Sequence, residues 1–411
     1  MEDVDKMKLP LKGIRIADWT IFQTGPSATQ LLADMGAEVI KIETPDGGDN
    51  ARGSTRDAGK FLNLPNGLPY GFECNNRNKK SIAVDLTKEK GRQMIYSLVK
   101  TSDIFVQNFR VGVAKKLRLD YETLQTYNPS LIYANCNGYG TKGKQATQAA
   151  LDPAIHAASG MMMGIGEAGM PPIHLPGAIS DQTTGIMLAY AIMVALFNKE
   201  RTGVGQEINV AMLGTMIWVQ TNNILYSLMA GKPRERQQRN NAKNPLVNHY
   251  RCQDERWILL AHFQPDKYWP AFCRALGLED LINDPRFSTL KAREENCAEL
   301  IVLLDDRFAR KTRDEWLVLF AAADLIYSPI KDYWEVVNDP QVLENDFLTR
   351  FNHPSLGEIQ EIGIPVELSK TPGSIREPAP QLGQHTEEVL VDMLGYSWEE
   401  IETLRDEGVI L

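Results

Sequence analysis

The stretch Leu175-Pro176-Gly177-Ala178-Ile179-Ser180-Asp181-Gln182-Thr183-Thr184-Gly185 sets one carboxylate between a Pro/Gly lead-in and the apolar run Ile186 to Phe197. This order places Asp181 at a helix start, where unpaired backbone N–H groups and the positive end of the helix dipole favour its ionised form. With a reference pKa of roughly 3.9 it is expected to be charged at neutral pH. A carboxylate held in that way can act as a nucleophile. Asp and Ser are also favoured N-caps, and on local sequence alone the structural cap is the more economical reading. Only the rest of the chain can choose between the two.

The segments that must position Asp181 read as alternating strands and helices. Residues 13–19 form a strand, 24–26 a turn, 27–35 a helix and 37–43 a second strand, which makes a β-α-β unit. Further strands are expected at 80–86, 103–108 and 131–135, with a helix over 88–101. Alternation of this kind implies an α/β fold, a doubly wound and largely parallel sheet with helices on both faces, whose ligands bind at the carboxyl ends of the strands. The first strand-to-helix turn, Ile21-Phe22-Gln23-Thr24-Gly25-Pro26-Ser27, has one glycine where a dinucleotide fingerprint needs three, so a dehydrogenase is rejected.

A strand at 207–210 and a helix to about Leu228 precede the polar, basic stretch 231–248, which marks a boundary. A strand at 257–261 and amphipathic helices at 266–276, 297–309 and 314–323 follow, and helices at 386–394 and 398–405 close the chain. The expected domains are a large one over 1–225, a smaller α+β one over 226–335, and a return segment over 336–411 that completes the first.

Composition bounds the function. The 411 residues carry 43% hydrophobic and 24% charged residues, as expected for a globular protein of two domains. A formal net charge of −9 argues against nucleic acid or an anionic membrane as the main partner, although a local basic cluster can still hold an anion. The five cysteines are scattered and never form C-x-x-C, so neither a disulfide framework nor a zinc site is expected, and a reducing cytoplasm is. The start Met1 to Lys6 lacks the layout of a signal peptide, and the apolar run 185–197 is too short to span a bilayer.

In order along the chain, residues 13–43, Asn78-Lys79-Lys80-Ser81-Ile82-Ala83-Val84-Asp85-Leu86, residues 103–109, Gly138-Tyr139-Gly140, Ser180-Asp181-Gln182-Thr183-Thr184-Gly185 and Arg201-Thr202-Gly203-Val204-Gly205-Gln206 resemble the family III (CaiB/BaiF-type) CoA-transferases. Thr312-Arg313-Asp314-Glu315-Trp316, Asn338-Asp339-Pro340-Gln341 and Leu394-Gly395-Tyr396 extend the resemblance over almost the whole chain. It implies a Rossmann-like large domain, an interlocked homodimer, an acyl-CoA and an organic acid as substrates, and an aspartate nucleophile at the position of Asp181. The same fold family includes the α-methylacyl-CoA racemases, in which a His-Asp-x-x-Tyr pattern moves a proton. The matching positions here are Leu151-Asp152-Pro153-Ala154-Ile155, with neither His nor Tyr; His156 lies nearby but out of register and reads more readily as a structural residue. A glycine-rich loop shared by the oxalate enzymes has no counterpart in 243–250, which tells against oxalate.

The chemistry implied is attack of Asp181 on a thioester to give a mixed anhydride, followed by an aspartyl-CoA thioester. It needs no metal and no permanently bound cofactor, only donors for each oxyanion. Backbone N–H groups near Gln182 or Gly177 are candidate donors, and Gln23 matches the family's glutamine before Gly-Pro, although a plain turn residue fits it equally. CoA phosphates require Lys or Arg near strand ends. The candidates are Arg110, Lys116 and Arg118 after the strand ending at Asn108, Arg77 and Lys80 at another strand, and Asn137 beside Gly138; the family's arginine after Lys-Ile-Glu is Thr44 here. Methionines 161, 162, 163 and 170 before Asp181 suit an aromatic or branched acid weakly and core packing better. The alternatives are a racemase or isomerase of the same fold, and a non-catalytic subunit of a hetero-oligomer.

Overall fold

The structure is a computed structural model that describes residues 9–53, 63, 69–354 and 356–411; the segment Met1 to Lys6 lies outside the described residues. The described chain divides into two compact units, one of residues 9–162, 174–232 and 349–411, the other of 163–173 and 233–348. Set beside the expected small domain of 226–335, the second unit starts and ends later and takes in the 163–173 segment as well.

In the first unit, β1 (Arg15–Trp19), β2 (Glu38–Glu43), β3 (Lys79–Ala83), β4 (Ile104–Gln107), β5 (Ile132–Asn137) and β6 (Glu207–Ala211) build one sheet in the order β3-β2-β1-β4-β5-β6. Every neighbouring pair is parallel. The order reverses between β1 and β4, so a crevice is expected beyond their carboxyl ends. Asn108, directly after β4, closes its base by accepting the Ile21 N–H at 2.9 Å and donating to the Ile21 carbonyl at 2.8 Å.

The period-2 alternation of buried strands sorts their side chains onto two faces. Ile16, Val39, Ile104 and Ile132 pack with Ala28 and Leu32 of the helix Thr24–Asp34 and with Leu188, Ile192 and Leu196 of the central helix Ile179–Thr202. Ala17, Ile40, Phe105 and Tyr133 face the other way, against Met94, Ile95 and Leu98 of the helix Glu89–Lys100 and against Val389, Leu390, Ile401 and Ile410 of the C-terminal segment. The unit is a three-layer, doubly wound α/β fold.

The second unit is α+β. Strands β7 (Val247–Arg251), β8 (Trp257–Ala261) and β9 (Tyr327–Ile330) form an antiparallel sheet in that order. Helices Pro265–Leu276, Cys297–Phe308 and Arg313–Ala322 cover it with a core of Trp269, Phe272, Phe308, Trp316 and Phe320. β7 and β9 are missing from the sequence reading, because β7 starts at the end of the basic stretch taken as a connection and β9 is a four-residue strand carrying a proline.

The central helix is longer than its apolar run. Its 24 residues make it long and apolar enough to cross a membrane by length and composition, yet its inner face is core. That face approaches the helix Thr24–Asp34 at Gly185, where an added Cβ would stand 1.9 Å from Ser27 Oγ and 3.0 Å from the Thr24 carbonyl oxygen. Gly185→Ala is therefore expected to cost about 1–3 kcal/mol by overpacking. Urea unfolding should show the loss, and the double variant Gly185→Ala/Ser27→Gly should regain most of it.

Candidate active site

Asp181 is the third residue of the central helix, whose lead-in passes through left-handed backbone at both Gly177 (φ 95°) and Ala178 (φ 57°). Glycine takes this geometry freely, whereas alanine does so at a cost of roughly 1 kcal/mol, so the turn is held by its surroundings. The holding group is Asp152, whose Oδ1 accepts the N–H of Ser180 at 2.7 Å and of Asp181 at 3.3 Å. The cap of the central helix thus comes from another helix, Asp152–Ala158, and not from the Asp181 side chain. The Gln182 N–H is bonded to the Ala178 carbonyl at 2.9 Å. The backbone donors expected near Gln182 are therefore already used.

Freed from capping, the Asp181 side chain meets the first helix, and its Oδ1 accepts the hydroxyl proton of Thr24. Burial pushes the carboxyl up to about 6; the Thr24 bond lowers it and the charge of Asp152 raises it further. The unperturbed value expected from sequence is corrected accordingly, because desolvation outweighs the helix dipole here. Burial, aided by the Asp181 charge, also pushes the nearby Cys136 thiol up, which leaves no thiolate to compete as nucleophile.

Near the starts of the two helices, three side-chain amides bond to one another. Gln23 Oε1 accepts from Asn75 Nδ2 and, at 3.3 Å, from Gln182 Nε2, which also donates to Asn75 Oδ1 at 3.2 Å. Gln23 thus meets Gln182, the neighbour of Asp181, while Asn75 escapes sequence reasoning because nothing in its polar run 73–78 distinguishes it. Gln23 follows Phe22, itself in left-handed backbone (φ 60°) and held by its N–H to Asp49 Oδ1 at 2.9 Å. Asp49 in turn pairs with fully buried Lys41 at 2.8 Å, and Lys79 pairs with Asp18 at 3.0 Å in the same network.

The basic candidates divide by sheet edge. Arg77 is buried, forks onto Asp34 at 2.8–3.2 Å and faces Glu361 at 3.7 Å; Lys80 lies between Glu38 at 3.0 Å and Glu388 at 2.9 Å. Both precede or begin β3, at the amino edge of a parallel sheet. Asp34 ends the helix that Thr24 starts, about 15 Å away at 1.5 Å per residue. Their expected place at the CoA phosphates is corrected: their charges are spent on structural pairs at the opposite edge from Asp181.

Arg110 and Asn137 are at the carboxyl edge. With Gln107, Phe109, Lys115 and Asn135 they line a cavity of about 150 Å³ at the ends of β4 and β5. That is below the 300–1,000 Å³ typical of whole-ligand pockets, so it suits one part of a larger ligand. Asn137 Oδ1 also accepts the Gly140 N–H at 2.6 Å. Lys116 and Arg118 are exposed on the same segment but outside the cavity lining, where Lys115 stands instead.

His156 is fully buried, and neither ring nitrogen has a hydrogen-bond partner among the described residues, so the reading of a satisfied structural histidine is corrected. Of the methionines before Asp181, Met163 and Met170 are exposed and Met162 is half-buried, while half-buried Met161 packs against the small core of Ile155, Met212 and Met216.

Fold and site place the protein among the α/β enzymes that gather their polar groups at the carboxyl edge of a doubly wound parallel sheet. The sequence matches the family described as CoA-transferase family III over residues 11–386, and the chain belongs to that family. It is similar to the succinyl-CoA:glutarate CoA-transferase of Mus musculus, at 34% identity over 409 residues covering 99% of this chain and 92% of that protein. A second relative is the (R)-2-hydroxy-4-methylpentanoate CoA-transferase of Clostridioides difficile, 30% identical over 405 residues, 97% of this chain and 99% of that one. Among solved structures, a CAIB/BAIF family protein from Brucella suis matches with a TM-score of 0.83 at 30% identity, covering 93% of this chain and 99% of the other. The Rv3272 protein of Mycobacterium tuberculosis matches with a TM-score of 0.80 at 32% identity, over 93% and 99% of the two chains. The chain is a transferase of the CoA-transferase class.

The raised Asp181 carboxyl predicts a pH-dependent stability. Its folded value of about 6 exceeds the ordinary 3.8, so the folded state binds the proton more tightly and stability falls as pH rises between those values. Asp181→Asn removes that slope. In urea unfolding the variant should be about 1–3 kcal/mol more stable than its parent at pH 7.5, converging with it below about pH 4.

Proposed function

We propose that the protein moves CoA from an acyl-CoA donor to a small organic carboxylic acid, aromatic or branched acids included, with Asp181 as nucleophile. The observation that carries this reading is the division of labour between two aspartates. Asp152 caps the central helix, which leaves the Asp181 carboxylate with no structural task at the helix start.

The sequence of bonds follows. Asp181 attacks the thioester carbonyl and the C–S bond breaks, giving an aspartyl mixed anhydride and CoA thiolate. The thiolate attacks the aspartyl carbonyl, the first acid leaves as carboxylate, and an aspartyl-CoA thioester remains. The acceptor carboxylate then attacks that thioester, expels the thiolate and forms a second anhydride, whose acyl carbonyl the thiolate takes, regenerating Asp181. No electrons are gained or lost overall. The amide groups of Gln23, Asn75 and Gln182, which already bond to one another, are the donors to the oxyanions in this reading, a role worth several kcal/mol where water is excluded. Thr24 holds the carboxylate oxygen in line. Arg110, Lys115 and Asn137 hold part of the CoA in the cavity beyond β4 and β5, and exposed Lys116 and Arg118 serve its phosphates from the same segment.

The absence of glycine from 243–250, which includes most of β7, favours acceptors other than oxalate. Leu151 stands exposed where a racemase would carry its base, and the buried His156 has no open path to a substrate carbon. A second copy of the chain completes the assembly: Ile186, Tyr190, Val194 and Phe197 form a stripe at helical spacing on the outer side of the central helix, each at least 51% exposed. Five free cysteines suit a reducing compartment such as the cytoplasm.

Asp181→Asn and Asp181→Ala should both stay folded and bind CoA but lose transfer by three orders of magnitude or more, on the order of 4 kcal/mol in the barrier. Parent kcat/KM should rise with pH through about 6, as the nucleophile ionises. Hydroxylamine or borohydride applied after incubation with donor acyl-CoA should modify the peptide carrying Asp181. Full activity in Asp181→Asn, trapping at Asp152, or α-deuterium uptake from D₂O without an acceptor acid would overturn this reading.

The assembly is tested separately. An interlocked pair should bury well over the roughly 1,600 Å² of an ordinary interface and so persist on dilution. Mass photometry at nanomolar concentration should show a dimer, and a folded monomer there would refute the arrangement.

A further inference from the structure

One group beside the active site is left over by the chemistry above. His156 stands one helical turn after Asp152, so both side chains leave the same face of the helix Asp152–Ala158. His174 joins them from the segment that leads into the central helix. Asp152 Oδ2 lies 3.5 Å from His156 Nδ1 and 4.0 Å from His174 Nε2, and one donor atom from each of the three residues falls within 4.8 Å of the others. The imidazole rings stand 5.5 Å apart, tilted at 52°.

Three features make this more than a chance cluster. His156 is 0% exposed and both its nitrogens lack a hydrogen-bond partner among the described residues, although Nδ1 faces a carboxylate oxygen. A buried polar group left in that state is destabilising unless something fills the gap. Asp152 divides its two oxygens: Oδ1 takes the amides of Ser180 and Asp181, while Oδ2 faces both histidines and is free for another charge. His174 is 43% exposed in its side chain, which supplies an entry path and an open side.

We propose that Asp152, His156 and His174 bind one divalent cation of the Zn²⁺ class. Two imidazoles and one carboxylate suit zinc and its borderline neighbours, whereas calcium and magnesium prefer oxygen alone. In a tetrahedral zinc site, bonds of about 2.0–2.2 Å set ligand atoms roughly 3.4 Å apart. The Asp152–His156 pair already has that spacing, and His174, on a connecting segment, is the ligand that must close by roughly 0.6 to 1.4 Å. The fourth position faces the exposed side and takes water or an anion. The scattered cysteines conceal the site from the sequence, because its ligands are one helical turn and then 18 residues apart and include no thiol. The site stands whatever reaction Asp181 performs, and it would tie the lead-in of the central helix to the helix that caps it.

The experiment uses the full chain, dialysed against a chelator and then titrated with Co²⁺ as a spectroscopic stand-in and with Zn²⁺ by calorimetry. The expected result is one ion per chain, with visible d–d absorption of four-coordinate intensity that Zn²⁺ abolishes, and a rise in Tm with added Zn²⁺. His174→Ala changes an exposed side chain, so folding is not at stake; it should weaken Zn²⁺ binding at least tenfold and remove the Tm rise. His156→Asn should do the same where circular dichroism shows it folded. Binding that does not saturate at one ion per chain, or an affinity unchanged in His174→Ala, would overturn the assignment.

Discussion

The approach of the central helix to the helix Thr24–Asp34 is the constraint on which the site depends. At Gly185 the two backbones come so near that even a methyl group would meet Ser27 and the Thr24 carbonyl. One turn earlier, the same contact puts Asp181 against Thr24. The apolar surface that drives the approach is shared with the sheet, through Ala28, Leu32, Leu188 and Ile192. Burial of that surface therefore does two things at once: it stabilises the fold and it dries the carboxylate, and the drying is what lifts the Asp181 pKa.

Beneath the β1 turn lies a second constraint, a set of buried charges. Burial by itself would raise the Asp18 carboxyl, but Lys79 and Lys41, with hydroxyl bonds from Thr20 and Thr29, hold it below the usual range. Lys79 is pushed down to about 8 by burial against the pull of Asp18. Pairs of this kind add little net stability over apolar replacements, yet losing one partner strands the other. Their use here is geometric: Lys41 also bonds the Thr20 carbonyl at 2.9 Å and fixes Asp49, which fixes Phe22 in left-handed backbone and so aims Gln23.

Much of this was legible in the sequence, and the parts that were not share a cause. The strands of the parallel sheet are short apolar runs with turn residues on either side, so their order along the chain yields the fold class. Asp181 was legible as the one carboxylate between a Pro/Gly lead-in and a long apolar run. What sequence could not supply was the remote partner. Asp152, 29 residues before Asp181, takes the cap; Asp34, 43 residues before Arg77, takes a cation expected at the ligand. A local reading assigns a charge to the nearest plausible task, and burial reassigns it to whichever opposite charge or N–H the fold brings within 3 Å or so. Helix boundaries failed for a related reason: 386–394 has the pattern of an α-helix, but its larger part, Val389–Met393, is π-helical.

The route of the chain has a consequence for how the protein is made. The last strand of the large sheet ends at Ala211, but the face formed by Ile82, Val84 and Leu86 is covered by Val389, Leu390, Ile401, Leu404 and Ile410, and Ile410 bridges to Val84. Two hundred residues separate Ala211 from Leu411, just past that covering segment, which at 5–20 residues per second is about 10–40 s of translation. The second unit, nearly continuous in sequence, leaves the ribosome within that interval and can fold first. Throughout it the growing chain carries a finished set of strands with one apolar face uncovered, the kind of surface that chaperones hold. The end of that exposure is set by the arrival of residues 389–410 rather than by the sheet, so a chain cut short before that segment has every strand of the large sheet and an open core.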